Sequence, residues 1–191
     1  MRVTDVEIAR EISADAGRRF ATVAEPRIAA CADDPPFTVD ELTAYVHSGH
    51  AWVATEDDDV VGFVVTELID DVVHIEEIDV ARRAGRQGHA SRLLDTVTAW
   101  AEARGSRAVT LTTFDDVPWN RPWYERHGFR VLRDSELSPG LRAVRDRESA
   151  LGLPADLRVV MRRDLGGALR DEPLPAERAW PGPPGSRRDA L

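Results

Sequence analysis

The apolar residues change period along the chain, and each change marks an expected element. Near the start they recur at helical spacing. An amphipathic helix is expected through Phe20, opened by Thr4 and Glu7 as a capping box. Asp33–Pro36 interrupts the pattern as a loop. Thr38 and Glu41 make a second capping box, before a short helix to about Val46. The period then falls toward two. Ala51–Thr55 and Val60–Leu68 are rich in β-formers and separated by the acidic turn EDDD. A second acidic turn, Asp70–Asp71, leads into Val72–Val80, and the three runs predict an antiparallel meander.

Beyond Val80 comes the stretch ARRAGRQGHA, and then a strong helical pattern. Leu93, Leu94, Val97, Trp100 and Ala101 share one face, and Gly105 provides the stop. Ala108–Thr113 reads as a strand. A short helix over Arg121–His127 ends at Gly128, and Phe129–Leu132 returns to strand. Ser138–Leu151 predicts a further helix and Leu157–Met161 a final strand. The whole is a mixed α/β chain without internal repeats. One domain is expected over residues 1–165, followed by a tail, 166–191, whose Pro, Gly and Arg content predicts disorder.

Composition narrows the function. A chain of 191 residues, 42% hydrophobic, supports one compact core. Its formal net charge of −9 disfavours a non-specific grip on nucleic acid. All 25 basic residues are Arg, so the protein has no lysine side chain of its own to modify. The single cysteine, Cys31, excludes an internal disulfide and a CxxC metal site, and is expected to be a small buried hydrophobe. No metal is expected. The N-terminus lacks an apolar leader and no run approaches a membrane span, so no membrane partner and a cytoplasmic location are expected.

The chemistry concentrates where a strand, a glycine-bearing turn and a helix follow one another. At a helix start the first N–H groups lack backbone partners and point outward with the positive end of the helix dipole, which suits a pyrophosphate. Within GRQGHAS, Gly88 permits close approach, Ala90 is small, and Arg86 carries a positive charge. The turn is not a Walker loop, because no GK[ST] follows, and it lacks GxGxxG. In the preceding strand, Val73 and Ile75 share one face while Ile78 and Val80 share the other. The apolar phase slips at Glu76–Glu77. A β-bulge there would re-aim an acid toward the turn; an exposed strand edge is the plainer alternative.

Three stretches, IEEIDV (Ile75–Val80), GRQGHASRLL (Gly85–Leu94) and WNRPWYERHGF (Trp119–Phe129), together resemble the GCN5-related N-acetyltransferase (GNAT) superfamily. The resemblance covers roughly Ala51–Leu132. It implies an acyl-coenzyme A N-acyltransferase fold: a mixed, mostly antiparallel central sheet flanked by helices. It also implies acetyl-coenzyme A as co-substrate. Its pyrophosphate would be held by main-chain N–H groups of Arg86, Gln87, Gly88, His89, Ala90 and Ser91. The pantetheine arm would pair with the strand backbone at Ile78, Asp79 and Val80, and Asn120 would contact the same arm. Gly85 departs from the family pattern, which has Arg or Gln at that place. Arg86 or Arg83 is then expected to supply the charge.

The activity implied is transfer of an acetyl group to a primary amine, expected to belong to a small molecule, by direct attack in a ternary complex. Glu76 is the first candidate for the base, Glu77 the second, with His74 one alternation step away. Tyr124 would protonate the leaving thiolate. Other readings stay open: an acetyltransferase acting on a protein N-terminus or lysine, an O-acetyltransferase, or a non-catalytic acyl-coenzyme A sensor. A homodimer would be unsurprising for a domain of this size.

Overall fold

The computed structural model describes residues 1–166. They form two compact units, one comprising Met1–Thr66 and Glu76–Val97, the other Glu67–Ile75 and residues 98–166. All but the first residue of the expected tail lies outside the described residues. The fold is a mixed α/β arrangement with a six-stranded sheet in the order β1-β2-β3-β4-β6-β5.

In the first unit, α1 (Val6–Gly17) buries Val6, Ala9, Ile12 and Ala16. Its start differs from the expected capping box. Val3–Asp5 forms a 3-10 turn, because the Asp5 carboxylate accepts the Arg2 N–H at 2.6 Å and captures the entry to the helix. The α-helix also stops at Gly17, and Arg18–Thr22 continues as a tighter 3-10 segment, so α geometry does not extend through Phe20. A short α2 (Pro26–Ala30), not anticipated, is opened by Pro26 in its first turn and by the Glu25 side chain, which accepts the Arg27 N–H at 3.1 Å. Cys31 follows it half-exposed rather than buried; its thiol donates to the Arg27 carbonyl at 3.4 Å.

The second expected box forms. Thr38 Oγ1 accepts the Glu41 N–H at 3.2 Å, and Glu41 Oε2 accepts the Thr38 N–H at 2.7 Å, opening α3 (Val39–His47). Glu41 is fully buried, so its satisfied carboxylate ties the helix start to the core. Ile12 of α1, Leu42 and Tyr45 of α3, and Phe63 and Val65 of β2 share one apolar cluster.

Strand β1 (Ala51–Glu56) pairs antiparallel with β2 (Asp59–Ile69), from Ala51↔Val65 to Glu56↔Asp59. Asp57 and Asp58 both take positive φ (48° and 70°), a conformation that short acidic side chains tolerate in a two-residue hairpin. On this strand Gly62 approaches another backbone closely. A Cβ there would lie 2.8 Å from the Asp79 carbonyl oxygen and 3.0 Å from Val80 Cγ2. Next in the chain come β3 (Val72–Val80) and α4 (His89–Ala103).

The second unit holds β4 (Ala108–Phe114), α5 (Arg121–Arg126), β5 (Arg130–Val131), α6 (Pro139–Ala150) and β6 (Arg158–Asp164). Strand β6 runs three residues past the expected end at Met161. Its ladder with β4, Ala108↔Asp164 to Phe114↔Arg158, satisfies the backbone of the polar residues Arg162–Asp164. β3 pairs parallel with β4 through Val73↔Val109, His74↔Thr110 and Ile75↔Leu111. Leu132, Leu141 and Val160 form a small core with Ile69 and Leu137.

His74 is buried in this unit. The Thr110 hydroxyl donates to the Val73 carbonyl at 3.3 Å, so it accepts from His74 Nδ1, 3.0 Å away. Burial pushes the His74 pKa from 6.5 down to about 3, and the charges of Arg147 and Arg158 push the same way. Those cations are held by carboxylates: Arg147 by Glu67 at 3.2 Å and Arg158 by Glu148 at 2.8 Å. Among the described residues, no helix is long and apolar enough to cross a membrane.

Two outcomes follow. Gly62→Ala forces a backbone shift and is expected to cost about 1–3 kcal/mol, read as a lower urea midpoint with unchanged slope. For His74, the unfolded chain binds a proton that the folded chain excludes. Its contribution to stability is therefore complete above pH 6.5 and lost as pH falls toward about 3, at up to about 1.4 kcal/mol per pH unit. Urea midpoints measured from pH 7 to pH 4 are expected to fall less steeply in His74→Gln than in the native chain.

Candidate active site

The turn between β3 and α4 is moored at its first residue. Arg82 donates its backbone N–H and its Nε–H to the two carboxylate oxygens of Asp15, each at 2.8 Å. The backbone bond first, and then the guanidinium, hold the Asp15 carboxyl below its usual pKa. Just before the turn, the Ala81 N–H bonds to the Val61 carbonyl at 2.9 Å, which fixes the end of β3. Arg82–Ala84 makes one 3-10 turn, and residues 85–88 are exposed.

Two residues of this turn lie in the left-handed region: Arg86 at φ 65° and Gly88 at φ 83°. Gly88 accepts the first helical bond of α4 from the Arg92 N–H at 3.0 Å. The N–H groups of His89, Ala90 and Ser91 therefore precede the first intrahelical bond, at the positive end of the helix. A Cβ on Gly88 would meet nothing within 4 Å except Arg92 Nη1, at 3.9 Å. The space beside Gly88 is thus open, with a guanidinium at its border. Gly85 has φ −66°, so its lack of a side chain is not a backbone requirement for positive φ.

The charged side chains around the turn go beyond those read from the sequence. Arg86 is exposed, and it shares its neighbourhood with Arg19 and Asp79. The Arg19 pKa is lowered chiefly by burial; Asp79 opposes this and Arg86 reinforces it. Arg19 lies far away in sequence, and no local pattern points to it. Arg92 is also new: its Nη2 lies 2.8 Å from His89 Nδ1. Here a signal existed, because residues three apart share one helix face. His89 was expected to contribute its backbone; its side chain is buried, with Nε2 3.9 Å from Glu56 Oε2.

Along β3, Val72–Ile75 are buried, whereas Glu76, Glu77, Ile78, Asp79 and Val80 are each half-buried. The ladder with β4 reaches Ile75, one residue before the slip in the apolar phase. His74, the third candidate base, is removed by its environment. An imidazole whose pKa falls to about 3 and whose Nδ1 is engaged by Thr110 is a poor proton acceptor near neutral pH.

Within the second unit, Tyr124 stands on α5 in an aromatic group. Its ring meets Trp123 edge-on at 4.9 Å and Phe129 at 5.7 Å. Trp123 packs on His127 at 4.2 Å. The helix is anchored by Arg121, which bonds Asp115 at 2.6 Å and Glu125 at 2.8 Å, and it is closed by Gly128 at φ 83°. Asn120 is the residue before this helix. Its carbonyl accepts the Trp123 and Tyr124 N–H groups, while its side chain makes no capping bond. Among the described residues, no group of three or more His, Cys, Asp or Glu is placed to hold a metal ion.

The first unit thus has the means to hold an anion: an ordered turn, a helix start, open space at Gly88 and several arginines. Known proteins share the sequence family and the fold. The model of the acetyltransferase (GNAT) family matches residues 14–129. Among solved structures, the PaiA N-acetyltransferase of Thermoplasma acidophilum in complex with coenzyme A is similar at TM-score 0.61 and 12% identity, covering 86% of this chain and 96% of that one. A Mycobacterium tuberculosis protein in complex with coenzyme A matches at TM-score 0.59 and 18% identity, covering 86% and 96%. The ribosomal-protein-S18-alanine N-acetyltransferase of Escherichia coli matches at TM-score 0.58 and 16% identity, covering 90% and 95%. At these identities the structural likeness speaks to fold, while the family match spans more than half of the sequence. The chain belongs to the GNAT family of acetyltransferases.

Proposed function

We propose that the protein transfers an acetyl group from acetyl-coenzyme A to a primary amine, and that the pyrophosphate of the donor is held at the turn Arg86–Ser91. The observation that carries the reading is Gly88: positive φ, open space in place of a side chain, and the first helical N–H groups immediately after it. The donor's two phosphates need several N–H donors and a positive field at close range, which a helix start provides.

In this reading the extended arm of the donor pairs with the backbone of Ile78, Asp79 and Val80, as an added strand would. The free amine attacks the acetyl carbonyl carbon, and the bond from that carbon to sulfur breaks. Glu76 accepts the proton that the ammonium must lose first, with Glu77 as second candidate, because both are half-buried carboxylates at the phase slip of β3. Tyr124 donates its phenolic proton to the departing thiolate, and the second proton that the nitrogen loses as the amide forms restores the phenol through solvent. Asn120 contacts the donor's arm. Positioning of amine and thioester supplies a large part of the rate.

A small-molecule acceptor is the proposed class. The neighbouring structures include one whose named acceptor is an alanine of a ribosomal protein, so a protein acceptor is the second reading. An amine panel of polyamines, amino acids, aminoglycosides and peptides, scored by release of free thiol, separates the two. Donor binding without turnover on every member would instead favour a sensor.

Two variants test the site. Tyr124→Phe keeps the ring that packs on Trp123 and Phe129 but removes the proton; kcat is expected to fall about 10²–10⁴-fold with little change in donor affinity. Unchanged kcat would remove Tyr124 from the mechanism. Gly88→Glu brings bulk and negative charge to the pyrophosphate turn; calorimetric titration is expected to show no acetyl-coenzyme A binding while the melting temperature stays within a few degrees of native.

A further inference from the structure

Among the described residues, Arg92 borders the Gly88 turn with its guanidinium held by a neutral side chain rather than by a carboxylate. Several other arginines are matched to carboxylates, Arg82 to Asp15, Arg121 to Asp115 and Glu125, Arg147 to Glu67 and Arg158 to Glu148, while Arg142 and Arg145 spend their guanidinium groups on backbone carbonyls away from the turn. Arg92 instead donates from Nη2 to His89 Nδ1 at 2.8 Å. Its Nη1 lies 3.9 Å from where a Gly88 Cβ would be. In a chain with 34 acidic and 25 basic residues, a guanidinium left to a neutral partner is available to an anion.

His89 explains how that guanidinium is held. Arginine can only donate, so Nδ1 accepts and the imidazole carries its proton on Nε2. Nε2 is buried with no hydrogen-bond partner, and the Glu56 carboxylate lies 3.9 Å away. A buried N–H left without a bond is costly, and nearby negative charge lessens the cost. The ring is thus fixed in one tautomer, with its accepting nitrogen toward Arg92. A long side chain that would otherwise sample many rotamers is thereby pre-organised beside the turn.

From this geometry we infer that Arg92, oriented by His89, is the cationic contact to the donor's pyrophosphate, in place of the side chain that Gly85 lacks. Arg92 is the contact and His89 the positioning residue. The inference rests on the acyl-coenzyme A reading above, and it moves the compensating charge from Arg83 and Arg86 to the first turn of α4.

The test is calorimetric titration of the full chain with coenzyme A and with 3′-dephospho-coenzyme A, which keeps the pyrophosphate but lacks the ribose phosphate. Native protein binding neither compound would overturn the acyl-coenzyme A reading itself, before any variant is compared. Given native binding, Arg92→Ala is expected to weaken both compounds about 10- to 100-fold, as for loss of a charge-assisted bond. His89→Ala is expected to weaken both several-fold. His89→Asn, whose amide oxygen replaces Nδ1 as acceptor, should recover most of that loss. In the Arg92→Ala background, His89→Ala should add nothing. Native affinity in Arg92→Ala overturns the proposal. So does a loss confined to coenzyme A, which would place Arg92 on the ribose phosphate, and so does His89→Asn binding no better than His89→Ala. Melting temperatures of all variants identify any that fail to fold, and Arg92→Gln, which retains length without charge, then serves in place of Arg92→Ala.

Discussion

The rest of the candidate site depends on where α4 begins. Its first bond runs from the Arg92 N–H to the Gly88 carbonyl, and Gly88 reaches that position only by adopting φ 83°. The dipole, the outward N–H groups and the open space beside the turn are consequences of this one junction. The chain cannot slide along it, because Arg82 is bound to Asp15 through both backbone and side chain, and Ala81 is bound to Val61. The close approach of Gly62 to the Asp79 carbonyl fixes the preceding strand from another direction. The turn is therefore exposed in its side chains yet constrained in its backbone. A phosphate cradle needs this combination, since backbone donors are useful only when already aimed.

Charge in this protein follows from the use of arginine alone. An acidic chain with a formal charge of −9 must gather positive potential locally if it is to hold a polyanion. Arg86 lies in the first unit's turn, Arg19 is close enough to feel its charge, and Arg92 bonds His89 at the start of α4, while Asp79 moderates Arg19. The second unit uses arginine differently. There Arg147 and Arg158 are neutralised by Glu67 and Glu148, and their residual field helps keep His74 uncharged. The same residue type thus borders an open turn in one setting and forms a structural ion pair in the other.

Legibility in the sequence tracks locality. The Thr38–Glu41 box, the acidic hairpin at Asp57–Asp58, the helix start at Gly88 and the stop at Gly128 were all readable, because each is fixed by residues within a few positions. Thr4–Glu7 has the same pattern as Thr38–Glu41 and fails, because the chain turns earlier: Asp5 accepts the Arg2 N–H at 2.6 Å and Thr4 lies inside the resulting 3-10 turn instead of capping a helix. The end of β6 was hidden for the opposite reason: Arg162, Arg163 and Asp164 look like loop, and only pairing with β4 makes them strand. In the site, Gly88 and Tyr124 carried recognisable motifs, whereas Arg19 depends on tertiary placement. His89 and Arg92 are intermediate. Their spacing of three is visible, but their significance depends on Arg92 lacking a carboxylate, which pattern alone does not reveal.

His74 illustrates how environment separates candidate bases that lie side by side in the sequence. His74, Glu76 and Glu77 lie within four consecutive positions of β3, and an alternating strand places His74 and Glu76 on the same face. Burial falls between them, with Ile75 the last buried residue. On the buried side a titratable group must be neutral, and His74 meets that demand by giving up its proton affinity and spending Nδ1 on Thr110. Beyond Ile75, Glu76 and Glu77 are only half-buried, which is why the proposed base is sought there. The fall in burial after Ile75 coincides with the slip in the apolar pattern of the sequence, so the stretch that loses its alternation is also the stretch where the strand ceases to be sealed.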